Sequence, residues 1–312
     1  MVQTWEQAWS EALYGPAGFY RRPEGPAGHF GTSAQGSGAD LLAEALLELA
    51  RRESLTTIVD VACGRGELLR SLAAQADSSV TLIGCDVVER PVDLPERVQW
   101  VTSPGGRDLP DLGSPTDALV LAHEWLDVVP CRIAQADPAG VLRTVLVEPD
   151  GTERLGDRLT AADLEWADRW WPGPHSPDDR VEIGRTRDEA FSSLVGRIGS
   201  GLLIAVDYAH TRDDRPSTGT LIGFAEGQVC PPAPDGSCDI TAHVAMDSLD
   251  ADAVLTQRVI LRDLGIDGAR PPIETARTDP AGYLAALSRA SVAASLTGPG
   301  AGDFLWALRR VG

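Results

Sequence analysis

Hydrophobic positions recur along this chain with two different periods. Residues 39–52 (ADLLAEALLELARR) place Leu41, Leu42, Ala45, Leu46 and Leu49 at helical spacing. Residues 56–62 (TTIVDVA) form a short apolar run followed by Gly64 and Gly66, which predicts a buried strand turning tightly into the helix GELLRSLAAQA. Runs at 80–86 (VTLIGCD), 98–102 (VQWVT), 117–122 (DALVLA) and 201–208 (GLLIAVDY) predict four more strands, spaced as in the βαβ units of a parallel sheet. An amphipathic helix through Ala190, Phe191, Leu194 and Ile198 precedes the last of these. Five strands suffice for an open, doubly wound, Rossmann-like α/β sheet.

Between the fourth and fifth strands the period changes. CRIAQAD and VLRTVLVE alternate around the turn PAG, which predicts a β-hairpin. Residues 131–180 read as an inserted lobe, with EWADRWWPGPHSPDD as an irregular flap rich in Trp and Pro. Trp166, Trp170 and Trp171 have two readings, a packed helix face and a peptide-binding shelf. Further on, TLIGF reads as a short strand, 225–238 as a long loop, 251–264 and 279–296 as helices, and DFLWALRRV as a last strand.

Composition narrows the partners. The 312 residues, 43% hydrophobic and 23% charged, suit one α/β core with an extra lobe. A formal charge of -19 repels phosphate backbones and anionic lipid, so neither nucleic acid nor membrane is an expected partner and a cationic peptide fits better. Solubility alone would also explain the acidity. No run of about 18 apolar residues occurs, and MVQTWEQAWSEALYG is acidic without an apolar stretch, so a cytoplasmic protein is expected. Cys63, Cys85, Cys131, Cys230 and Cys238 form no Cys-x-x-Cys pair or zinc spacing, so reduced thiols and no metal are expected. Cys230 and Cys238 flank a Pro/Gly-rich loop, which leaves a bridge, or a metal shared with His243, as alternative readings.

The loop DVACGRG carries the first chemistry. Gly64 and Gly66 let the backbone approach a ligand closely, and the helix that follows presents free N–H groups. Asp86, 20 residues beyond Gly66, ends the second strand, where an acid can accept both hydroxyls of a ribose. An adenosyl ligand fits. A dinucleotide site would carry a third glycine so that pyrophosphate could sit on the helix N-terminus; here that position is Leu69. Asp60 would repel a pyrophosphate but attract a sulfonium or amino group. Asp60, Gly64, Gly66 and Asp86 together favour S-adenosylmethionine over NAD, against the plainer reading of Asp60 and Asp86 as turn and cap residues.

Motifs across most of the chain extend this picture: GPAGFY and GHFGTS near the N-terminus, DVACGRGEL, HEWLDVVP, AVDYAH, then GTLIGF, DITAHV and TQRVILRDLGI. In this order they make the chain resemble the MidA-like methyltransferases, a family that includes a mitochondrial complex I assembly factor acting on protein arginine. The resemblance implies a Rossmann-like class I methyltransferase fold, with the GHFGTS segment over the cofactor and Glu124 and Asp127 near the reaction centre. Gly25, Gly28 and Gly31 would hinge that segment as an N-terminal lid, with Thr32 and Ser33 offering hydroxyls to the cofactor. The chain has His29 and His123 where the family typically has Asp and Asn, and Ala34 and Gln35 where it has Pro-Glu. These departures bear on the substrate. The expected organisation is a lid and helix (1–54), a cofactor-binding half (55–130), an inserted substrate lobe (131–180) and a second half of the core (181–312).

Methyl transfer is an in-line displacement, in which a protein aligns the nucleophile, shields the site and manages a proton. Paired carboxylates orient a guanidinium. Glu124 and Asp127, three residues apart beyond the fourth strand, are the candidate catalytic pair, with helix capping as their alternative. Asp207, Tyr208, Asp239 and His243 are candidate substrate contacts, Asp239 being readable also as a helix N-cap. His175 and His210 read as surface histidines. Three functions stay open: a protein or peptide arginine methyltransferase, a small-molecule methyltransferase, and a non-catalytic adenosylmethionine-binding assembly factor. The intact loop argues against the third, and the long 131–180 lobe leans toward a macromolecular acceptor.

Overall fold

The computed structural model describes residues 2–22 and 36–312. Thr32 and Ser33, the lid reading of GHFGTS, and the departures at His29, Ala34 and Gln35 lie outside the described residues.

The main sheet contains β1 (Thr57–Val61), β2 (Thr81–Asp86), β3 (Val98–Thr102), β4 (Ala118–His123), β5 (Gly201–Asp207), β6 (Ala253–Thr256) and β7 (Leu305–Val311). Their spatial order is β6-β7-β5-β4-β1-β2-β3. Strands β1 to β5 pair in parallel, and β7 runs antiparallel to both β5 and β6. The fold is therefore the expected Rossmann-like α/β sheet. The chain builds outward from β1 to β3 and then returns to place β4 on the other side of β1, so the β1–β4 boundary is a topological switch point, where such sheets bind ligands beyond the strands' carboxyl ends.

Around the strands lie α1 (Trp5–Tyr14), α2 (Gly36–Arg52), α3 (Glu67–Gln75), α4 (Ala161–Trp170), α5 (Arg185–Val195), α6 (Gln257–Asp263), α7 (Thr275–Thr278) and α8 (Pro280–Thr297). The central strands are apolar on both faces because helices cover both. Leu119 and Leu121 of β4 pack with Leu42, Leu46 and Leu69 from α2 and α3, whereas Val120 and Ala122 pack with Phe191 and Leu194 from α5.

The predicted hairpin is present, with Arg132–Ala136 antiparallel to Leu142–Val147. Its sheet also takes in Gln3–Thr4, Glu153–Arg158 and Arg180–Ile183. Thr4 and Gln7 close a capping box at the start of α1. From there α1 buries Trp5, Trp9 and Leu13 against Ile133, Val145 and Ile240, fastening the N-terminus to the lobe.

Five local readings need correction, and the first is the loop at 225–238, within which Gln228–Cys230 is a strand because Ile222–Ala225 offers it an antiparallel partner. The flap begins as α4, because Thr160 caps it by accepting the Asp163 amide and Trp166 buries against Val181 and Ile183. Residues 253–256 form an edge strand before α6, since β7 offers them an antiparallel partner. Asp239 starts the strand Asp239–Thr241, paired with Ile222–Ala225, and caps no helix. His210 is buried, with its ring edge-on to Trp171 at 4.8 Å.

Candidate active site

A cavity of about 330 Å³ opens at the carboxyl ends of β1, β2 and β4, on the switch point. Asp60, Gly64, Asp86, Glu124, Asp127, Tyr208, Asp239 and His243 all line it. Two candidates do not. Gly66, at φ +77°, turns the chain into α3, and a Cβ there would lie 2.7 Å from a methyl of Leu94, so its part is in the turn and its packing. Asp207 is fully buried behind the wall.

At the carboxyl ends of β1 and β2, Asp86 Oδ2 accepts the Gly64 amide at 2.8 Å and Oδ1 accepts the Val88 amide at 3.2 Å. Burial raises the Asp86 carboxyl to about 6 against these bonds. Asp60 is buried at the end of β1, and burial followed by the charges of Asp86 and Glu67 lifts it to about 8. Ala62 holds a left-handed conformation at φ +57°, strain that the loop sustains beside the cavity. Two desolvated carboxyls next to backbone N–H groups suit a ligand with hydroxyls and a cationic centre better than a pyrophosphate.

Beyond β4, Glu124 sits at φ +52°, its amide donating to the Val206 carbonyl at 2.8 Å. Beside it His123 Nδ1 lies 3.4 Å from Glu124 Oε1. Burial pushes the His123 imidazole down to about 4, so it is neutral at physiological pH. Asp127 Oδ2 accepts the Thr241 hydroxyl at 2.8 Å, and Asp239 Oδ1 accepts the Tyr20 hydroxyl at 2.8 Å. Burial, offset in part by the Tyr20 bond and reinforced by the charge of Asp127, raises Asp239 to about 8. Tyr208 stacks on His243 with ring centroids 6.0 Å apart.

Residue-by-residue reading of the chain missed several members of the site. Tyr14 and Tyr20 reach the cavity from α1 and the turn after it, Tyr20 ending the GPAGFY motif that signalled the segment. Arg187 on α5 is buried and donates to the carbonyls of Asp127, Val129 and His243, so it ties the turn carrying Glu124 and Asp127 to the 239–243 segment. All five cysteines are free, and Cys230 and Cys238 both approach Gly223. Among the described residues, no group of three or more His, Cys, Asp or Glu is arranged to hold a metal, and no helix is long and apolar enough to cross a membrane.

Residues 41–260 match a family model described as "Putative S-adenosyl-L-methionine-dependent methyltransferase". The chain belongs to this family. It is an S-adenosylmethionine-dependent methyltransferase, as the MidA-like resemblance implied, and adenosylmethionine is its cofactor. No curated protein matches it. A protein from Burkholderia thailandensis, in a native crystal structure, is similar at a TM-score of 0.74 and 19% identity, covering 100% of this chain and 87% of its own. A Burkholderia thailandensis structure bound to S-adenosyl-homocysteine is similar at 0.72 and 20%, covering 98% and 87%. At these identities the likeness establishes the fold, that of a class I methyltransferase.

Proposed function

We propose that this methyltransferase acts on the guanidinium group of an arginine in a protein or peptide. The observation that carries the reading is the acceptor end of the cavity, where Glu124, Asp127 and Asp239 present three carboxyls within a wall of Tyr14, Tyr20 and Tyr208. Any of these acids that stays ionised is costly to bury unless a cation pairs with it, and a guanidinium offers several donors in a fixed plane.

Asp86 would hold the ribose hydroxyls and Asp60 the amino or sulfonium group of adenosylmethionine, with Gly64 as the loop's point of close approach. Bound there, adenosylmethionine supplies an electrophilic methyl group. The chain's own residues do the rest. Glu124 and Asp127 orient the guanidinium so that one nitrogen faces the methyl, Glu124 takes the proton which that nitrogen gives up, and the tyrosine wall excludes water. The lobe around 131–180, with α1 fastened to it, would border the path of a peptide.

Release of adenosylhomocysteine should be measured with an Arg-containing peptide and with the same peptide carrying citrulline, a neutral isostere. Turnover confined to the arginine peptide, with the methyl on guanidinium nitrogen by mass spectrometry, is expected. Equal turnover of both, or turnover only of an uncharged small acceptor, would overturn the reading.

A further inference from the structure

Asp207 ends β5 with its carboxyl completely buried, directly behind the turn that carries Asp127. Asp207 Oδ2 accepts the Leu126 amide at 3.1 Å, and Asp127 Oδ2 accepts the Thr241 hydroxyl. The second oxygen of each, Asp127 Oδ1 and Asp207 Oδ1, is buried and has no N–H or O–H donor. Yet the two acids are neighbours, because the amide that Asp207 holds belongs to Leu126, the residue before Asp127, and the Asp127 carboxylate raises the Asp207 carboxyl. Two such buried oxygens on neighbouring acids can satisfy each other only if one of them carries a proton, as in other paired buried acids.

We propose that Asp207 is a positioning residue which carries a proton and donates it to Asp127, so that the pair presents one negative charge, in one orientation, to the acceptor. The proton belongs to Asp207 because it is the more deeply buried of the two, whereas Asp127 opens on the cavity and already receives a hydroxyl from Thr241. The surrounding groups press the same way. Burial, then the charge of Asp127 and that of Glu124, raise the Asp207 carboxyl well above the usual range. Asp239 and His243 from the 239–243 segment, and Arg187 from α5, face Asp127. The three Arg187 bonds go to carbonyl oxygens and none reaches the orphaned oxygen of either acid, which leaves that pair to be satisfied by the proton.

The shared proton has a functional consequence. With both acids ionised, two like charges in contact would drive Asp127 away from its place; with the proton present, Asp127 stays aimed and Thr241 holds its other oxygen. The acceptor part of this inference rests on the arginine reading, and the proton itself does not. Two measurements therefore separate them.

The first is NMR of protein labelled with ¹³Cγ-aspartate at neutral pH. A resonance at the protonated-carboxyl position should vanish in Asp207→Asn and shift in Asp127→Asn, so either variant identifies it if the other fails to fold. A resonance so identified that sits at the ionised position overturns the proposal. The second is the pH profile of kcat/KM on the arginine peptide. Wild type should lose activity at alkaline pH as the proton leaves. Asp207→Asn, whose amide donates to Asp127 without titrating, should stay within about 3-fold at neutral pH and lose that limb, whereas Asp207→Ala should fall about 30-fold or more. An alkaline limb unchanged in Asp207→Asn counts against the proposal. A protonated Asp207 in an enzyme that ignores arginine peptides supports the proton and overturns the arginine reading.

Discussion

Asp86 Oδ2 accepts the backbone amide of Gly64 at 2.8 Å, so the acid at the end of β2 and the glycine loop after β1 form one unit. Replacing Asp86 by Ala removes a charged acceptor from the proposed ribose position and releases the loop. Hydrogen bonds to a charged group are worth about 1.5–3 kcal/mol, so adenosylhomocysteine affinity should weaken about 10-fold or more by calorimetry. Unchanged affinity would rule Asp86 out as the ribose ligand.

The raised acids make the stability of the ligand-free protein depend on pH with a definite sign. Asp60 and Asp239 keep their protons to about 8 in the folded chain and release them near 3.8 when unfolded. Across that window the folded state holds more protons, so stability falls as pH rises. His123 acts in the opposite direction, with about 4 folded against 6.5 unfolded, so its contribution is lost as pH falls through that interval. Thermal denaturation should therefore show greatest stability at mildly acid pH, with Asp60→Asn flattening the alkaline decline. A decline identical to wild type would show that Asp60 is ionised in the folded protein.

Much of the core was legible because its signals are local. The run TTIVDVA closed by glycines marked β1, and Asp86 announced itself by ending the next apolar run. The errors came where a tertiary partner decides. Residues 253–256 became a strand only because β7 lies beside them, and Asp239 became a strand start because Ile222–Ala225 pairs with it. Tyr14 reaches the site from a helix 46 positions before Asp60, a distance that no spacing rule bridges. Asp207 was noticed at a strand's carboxyl end, but only the packing shows that it is fully buried and that Asp127, not Asp207, lines the cavity.

Gly66 gives a test of the turn that is independent of chemistry. At φ +77°, alanine would be strained, and its Cβ would crowd the buried Leu94 methyl. A left-handed alanine costs about 1–2 kcal/mol, so Gly66→Ala should melt a few degrees lower. Because Gly66 does not line the cavity, adenosylhomocysteine affinity should change by less than about 3-fold. An unaltered melting temperature would contradict the packing described for this turn.

The proposed division of the cavity, with Asp60 and Asp86 on the cofactor and Glu124 on the acceptor, is tested most directly by one variant. Glu124→Gln keeps the shape of the side chain and removes the charge that is proposed to pair with a guanidinium and take its proton. Cofactor affinity and kcat/KM on the arginine peptide should be measured on the same preparation. The expected result is a loss of about 100-fold or more in kcat/KM with adenosylmethionine affinity unchanged. Weakened cofactor binding with normal turnover at saturation would place Glu124 in the cofactor pocket and contradict the assignment.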